Sequence, residues 1–301
     1  MRRQAAGSHP DLASALVHLI DAGGKRIRPA VSLLTGGMLG ADPQRLLDLA
    51  AAVELLHTAT LVHDDLIDGA LLRRGMPTLN ANWTPAATVL TGDFIFARAA
   101  RLAAATESVD VVDRFAQTLT IIVDGEIAQH FRDQGPASRK GYFQRIYAKT
   151  ASLFELASGA AALLSPVDPD VQSLAADFGR ELGMAFQIVD DVLDFTGDER
   201  SVGKPVGSDL RQGLITLPAI CYGELHPEDP DLNSVMNRNG HTHQQLDRLI
   251  ENIRRSGAAG EALEEARRYV NRAVSILEGM PGGSEQAALV DLARYIVDRE
   301  T

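Results

Sequence analysis

One cysteine, Cys221, is all that the 301 residues contain. A disulfide framework and a cysteine-based zinc site are therefore both excluded, and the lone thiol reads as a core residue in a reducing compartment. Aromatic residues are also sparse, at 5%, and no segment alternates apolar and polar residues for long enough to argue for a sheet. Clusters of Lys and Arg dense enough to track a nucleic-acid backbone are missing too, and a formal charge of −11 argues against such a partner. No run of eighteen apolar residues occurs, and the N-terminal MRRQAAGSHPDL lacks the apolar stretch of a signal peptide. The expectation is a soluble, cytoplasmic protein without a transmembrane segment.

What the chain has in abundance is alanine and leucine, with 45% hydrophobic residues overall. That composition favours helices and supports a sizeable core. Apolar intervals of three and four predict helices over Leu12 to Ile20, Pro29 through Leu34, Pro43 to Val62, Pro85 to Ala105, Val109 to Gln129, Arg139 to Leu164 and Val171 to Phe195. Further helices are expected over Leu214 to Tyr222, Thr242 to Arg255, Gly260 to Leu277 and Ser284 to Arg299. Gly197 to Gly213 and His226 to Gly240 read as loops, with His226, His241 and His243 as exposed bystanders. An all-α bundle follows, a single domain over residues 1–301.

Two aspartate-rich stretches interrupt the apolar pattern. Asp64, Asp65 and Asp68 stand in HDDLID, and Asp190, Asp191 and Asp194 in VDDVLD. Carboxylates are expensive to bury without a counter-charge, so divalent metal is the expected reason for both. On a helix the first and last aspartate of each set share a face, four residues apart, with the middle one beside them. Three carboxylates are thus expected to converge twice. Such oxygen-only clusters suit Mg2+, which binds through a few carboxylates together with substrate phosphates.

Seven ordered motifs then carry a resemblance: GGKRIRP (Gly23 to Pro29), HTATLVHDDLID (His57 to Asp68), RRGMPT (Arg73 to Thr78), GDFIFARA (Gly92 to Ala99), GEIAQ (Gly125 to Gln129), AKTASLF (Ala148 to Phe154), and FQIVDDVLDFTGD followed by GKPVGSDL. The chain resembles the trans-type isoprenyl diphosphate synthases, or polyprenyl synthetases, from near its start to its C-terminal helix. The resemblance implies an α-helical, generally dimeric fold around a deep central cavity in which the two aspartate sets hold Mg2+. It implies condensation of an allylic diphosphate with isopentenyl diphosphate and release of pyrophosphate.

Residue by residue, it implies Asp64, Asp65, Asp68 and Asp190, helped by Asp191 and Asp194, as metal ligands. Arg73, Lys149 and Lys204 match positions contacting the allylic diphosphate, and Lys25, Arg28, His57 and Arg74 match the isopentenyl diphosphate set. Lys149, Thr150 and Gln187 match residues that stabilise the reacting carbons. Arg26 is expected to face outward, and His63 to pack beside the metal cluster. Replacing Asp64 or Asp190 by alanine is expected to abolish most turnover while largely preserving the fold.

Product length is read from the residues before Asp64. Short-chain relatives commonly place Phe or Tyr four or five positions ahead of the motif, where this chain has Thr60 and Ala59. Leu56 and Val53 form the next rungs, about 4.5 Å apart at about 1.5 Å per residue. Without an aromatic floor, the expected product has thirty carbons or more, against the alternative of a C15–C20 farnesyl or geranylgeranyl diphosphate synthase. A terpene cyclase would need no isopentenyl diphosphate site, and a noncatalytic helical partner subunit can lose an aspartate set that this chain keeps.

Overall fold

The structure, a computed structural model, describes residues 1, 9–21, 23–73, 75–131, 138–197, 206–236 and 242–299. It is all-α, as the composition predicts, and the one sheet among these residues is a hairpin of two-residue strands. Two compact units emerge. One comprises Met1–Thr118, Leu156–Ala176 and Pro281–Gln286, the other Leu119–Glu155, Asp177–Met280 and Ala287–Thr301.

The first unit contains α1 (Pro10–Asp21), α2 (Ile27–Leu39) and α3 (Pro43–Ile67). A hairpin of β1 (Leu72–Arg73) and β2 (Met76–Pro77), a short α4 (Leu79–Asn82), α5 (Pro85–Ala105) and the start of α6 (Val109–Phe131) follow. Helix α3 begins where the Asp42 side chain accepts the Arg45 N–H at 2.9 Å and Pro43 supplies a preset φ. By length and composition α3 is apolar enough to cross a membrane, yet 61% of that window is buried inside the structure. It is a core helix: Leu49, Ala52, Val53, Leu55 and Leu56 are completely covered. Helix α5 packs along it. The close approach needs Gly92, because a Cβ there would lie 2.1 Å from the His63 ring.

Helix α2 starts two residues before the expected Pro29 and runs on to Leu39. Its preceding residue, Arg26, adopts a left-handed φ of 49°, which turns the chain into the helix earlier. Pro29 then sits in the first turn, where a missing N–H costs nothing because those donors have no intrahelical partner.

The second unit holds most of α6, α7 (Arg139–Ile146), a π-helical turn (Tyr147–Ala151) and the start of α8 (Ser152–Leu163). It continues with most of α9 (Pro169–Thr196), α10 (Ser208–Arg211), α11 (Leu217–Leu225), α12 (Pro230–Met236), α13 (His243–Arg255), α14 (Ala258–Glu278) and nearly all of α15 (Ser284–Asp298). The expected continuous helix from Arg139 to Leu164 is thus broken by one wide turn at Lys149 and Thr150. Helix α9 presses against that turn, and a Cβ on Gly183 would stand 2.6 Å from the Ala151 Cα. Gly183→Ala is therefore expected to force backbone apart and cost about 1–3 kcal/mol, read as a lower midpoint in urea unfolding.

Two expected loops contain helices. Within His226 to Gly240, α12 forms because Asp229 accepts the N–H groups of Asp231 and Leu232 at 2.8 and 3.0 Å. Asp231 is itself buried and clasped by Arg248 through two hydrogen bonds of 2.9 and 3.0 Å. Within Gly197 to Gly213, the turn α10 is held by Asp194. Helix α11 starts at Leu217 rather than Leu214, with Pro218 in its first turn. Cys221 is buried, as expected, and His226 and His243 are exposed, while His241 lies outside the described residues.

Candidate active site

In the first unit, α3 carries His57, Asp64 and Asp65 along its C-terminal half and ends on Asp68. Asp64 is half-buried and Asp68 exposed at the helix end, where its N–H reaches Asp64 O at 2.8 Å. Asp65 turns inward. It is buried and accepts both Nε and Nη2 of Arg73 at 2.8 Å, so the hairpin residue neutralises the one carboxylate that water does not reach.

Beside Asp65 and Arg73 opens a cleft also lined by His18, Arg26, Glu54 and His57. Arg26 was expected to face outward. It instead pairs with the buried Glu54 and donates Nη2 to Ile20 O at 2.7 Å, because its left-handed backbone swings the side chain across the start of α2. Lys25 is exposed and Arg28 half-buried on the same loop and helix start. His63 packs on Gly92, 3.6 Å from Asp93, as a supporting rather than a reacting residue. Further down α3, Ala59, Leu56 and Val53 are buried, and half-buried Thr60 bonds His57 O at 2.8 Å.

In the second unit, α9 carries the other aspartates, and each is already held. Asp190 meets the Arg299 guanidinium at 2.5 Å. That arginine side chain is 1% exposed, lies over the Phe186 ring and donates to Phe186 O at 2.9 Å. Asp194 accepts the Ser208 and Asp209 N–H groups at 3.1 and 3.2 Å. Asp191 is buried, accepting Tyr142 O–H at 2.7 Å and Gln187 Nε2–H at 2.8 Å.

Burial, with Asp209 nearby, pushes the Asp191 carboxyl up to about 8 against those two hydrogen bonds. Burial likewise raises the Tyr142 phenol and lowers the Arg145 guanidinium beside it. From the π-turn, Thr150 donates to Gln187 Oε1 at 2.6 Å, and Lys149 meets Glu126 at 2.9 Å.

The expectation that three carboxylates converge twice needs correcting. Among the described residues no three His, Cys, Asp or Glu side chains gather closely enough to hold an ion. The reason is helical phase: residues i and i+4 share a face, whereas i+1 lies about 100° round the axis. Both middle aspartates, Asp65 and Asp191, accordingly point into protein and find cationic or neutral donors there. Arg74 and Lys204 lie outside the described residues. Sequence reasoning missed Glu54, Tyr142 and Arg299 altogether. It also passed over Glu126, although GEIAQ contains it.

Each unit thus carries one aspartate-rich helix, α3 in the first and α9 in the second, with an arginine paired to one of its aspartates. The polyprenyl synthetase family profile matches residues 9–253. Octaprenyl diphosphate synthase of Escherichia coli (strain K12) is 34% identical over 287 residues, 94% of this chain and 88% of that one. The all-trans-nonaprenyl-diphosphate synthase (geranyl-diphosphate specific) of Rhodobacter capsulatus is 39% identical over 285 residues, 94% and 87% of the two chains. Among solved structures, polyprenyl synthase from Caulobacter crescentus CB15, complexed with calcium and isoprenyl diphosphate, superposes with a TM-score of 0.91 at 37% identity, covering 100% of this chain and 92% of that one.

The chain belongs to the polyprenyl synthetase family. Its activity is that of a prenyltransferase, a trans-polyprenyl diphosphate synthase. Relatives named for eight and nine isoprene units bear out the expectation of a product of thirty carbons or more.

Proposed function

We propose that this chain joins an allylic diphosphate to isopentenyl diphosphate with Mg2+, repeats the addition to thirty to fifty carbons, and works as a homodimer in the cytoplasm. The observation that carries the substrate assignment is the split within the first aspartate set. Asp65 is neutralised internally by Arg73, which leaves the Asp64 and Asp68 carboxylates on the outer face. An all-oxygen, two-carboxylate face fits Mg2+, which keeps waters and takes substrate phosphates as its remaining ligands. Asp64 and Asp68 would hold Mg2+ on α3, and Asp190 and Asp194 would hold Mg2+ on α9. When bound, Mg2+ neutralises the departing diphosphate.

The remaining work falls to the chain. Lys149 and Arg73 bind the allylic diphosphate, joined by Lys204. Lys25, Arg28, His57 and Arg74 hold the second diphosphate apart from the first by cationic contacts rather than by metal. Loss of the allylic leaving group creates a delocalised cation, which the isopentenyl double bond attacks. A proton then leaves stereospecifically to give the trans alkene, with the released pyrophosphate as its acceptor. Thr150 and Gln187 offer oxygen lone pairs to the transient positive charge.

Incubation with farnesyl diphosphate, excess isopentenyl diphosphate and Mg2+, followed by chromatographic sizing of the dephosphorylated products, tests the reading. Alcohols of thirty to fifty carbons are expected. Accumulation of fifteen- or twenty-carbon alcohols alone overturns the length, and no calorimetric binding of pyrophosphate with Mg2+ overturns the site.

A further inference from the structure

Four side chains in the second unit form one hydrogen-bonded line: Tyr142 to Asp191, Asp191 to Gln187, Gln187 to Thr150. Asp191 and Thr150 are 3% and 5% exposed, so water has little access to either, while Gln187 between them is half-buried. We infer that Asp191 is a positioning residue, which with Tyr142 fixes the direction of the Gln187 amide and, through it, the direction of the Thr150 hydroxyl. The inference rests on the proposed place of Thr150 and Gln187 beside the reacting carbons.

The direction follows from donor and acceptor chemistry. Both Asp191 oxygens accept, one from Tyr142 O–H and one from Gln187 Nε2–H. Asp191 therefore compels Gln187 to turn its NH2 inward, over 2.8 Å, and its carbonyl oxygen toward Thr150. A hydroxyl has a single hydrogen. Thr150 commits that hydrogen to Gln187 Oε1 at 2.6 Å. What the threonine oxygen then offers elsewhere is lone pairs alone, the polarity that a developing carbocation needs. With the amide reversed, the hydroxyl would accept from Gln187 and its own hydrogen would be free to face the cation.

The second aspartate motif thus divides its labour. Asp190 and Asp194 share a helix face and are the proposed metal ligands of the motif, while Asp191 orients its neighbour one turn back on α9. Tyr142 occupies the other Asp191 oxygen at 2.7 Å, which holds the carboxylate plane in place.

The test compares Asp191→Asn, Tyr142→Phe and the double variant Asp191→Asn/Gln187→Glu in the full-length protein. Asparagine donates as well as accepts, so it releases the amide direction. Its kcat is expected to fall about 10- to 100-fold, with KM for both diphosphates and the calorimetric Kd of Mg2+ with pyrophosphate within about twofold of wild type. In the double variant the carboxylate moves to position 187, where it again accepts from both sides, and at least tenfold of the lost kcat is expected to return. A weakened Mg2+–pyrophosphate Kd in Asp191→Asn makes Asp191 a metal ligand and overturns the inference, as does the absence of rescue. Should Asp191→Asn fail to fold, Tyr142→Phe, which keeps the ring, decides: kcat about three- to tenfold lower at unchanged Kd supports the orienting role, and unchanged kcat overturns it. A wild-type protein without turnover would instead overturn the proposed function.

Discussion

Asp64→Ala and Asp190→Ala are each expected to lower turnover by about a thousandfold or more, close to 4 kcal/mol of transition-state stabilisation. The loss follows from the proposed role of each carboxylate in holding the Mg2+ that neutralises the leaving diphosphate. The two variants differ in stability. Asp64 is half-buried one turn before the exposed Asp68 at the end of α3, and Asp64→Ala is expected to unfold within about 0.5 kcal/mol of wild type. Asp190 has a structural duty that the sequence conceals. It pairs with Arg299, whose Nη1 is buried and finds no hydrogen-bond partner among the described residues. Removing the carboxylate strands that cation, and Asp190→Ala is expected to cost about 2–3 kcal/mol. Steady-state kinetics at saturating Mg2+ and denaturant titration check the two quantities separately. Normal turnover by Asp64→Ala would refute its place in the metal clamp.

Legibility in the amino-acid sequence falls with the distance along the chain over which an element is determined. Helix α5 runs from Pro85 to Ala105, as its pattern predicts, because capping, proline placement and apolar spacing are local signals. The aspartate sets are legible for the same reason. Their internal division is half legible, since helical phase alone sets the middle aspartate apart, but the partners Arg73 and Tyr142 lie 8 and 49 residues away. The π-turn at Lys149 has no local signature at all. It exists where Gly183 brings α9 onto Ala151, and that contact is tertiary. Arg299 belongs to no motif, and its burial against Phe186 depends on α15 returning to α9 within the second unit. Helix α12 is hidden by its polar composition. Asp229 and Asp231 read as loop residues because their roles, a helix cap and a pair with Arg248, are set by the folded chain.

Ala59→Phe is expected to shorten the product to fifteen or twenty carbons. Ala59 lies on α3 five residues before Asp64, and the same helix offers Leu56 and Val53 below it, one rung about every 4.5 Å. One rung matches roughly one isoprene unit, so a side chain that blocks the first rung removes all later additions. The alanine is 2% exposed among the buried residues of α3, so a new ring has to occupy either the channel for the growing chain or the packed core. The two cases have opposite signatures. A ring in the channel leaves the unfolding midpoint near wild type and changes the product distribution, while a ring forced into the core costs about 1–3 kcal/mol and leaves the length of residual product unaltered. Sizing the dephosphorylated products alongside thermal unfolding separates them. An Ala59→Phe protein that is destabilised yet still makes wild-type-length product would remove Ala59 from the pocket floor and place the length control on residues elsewhere in the chain.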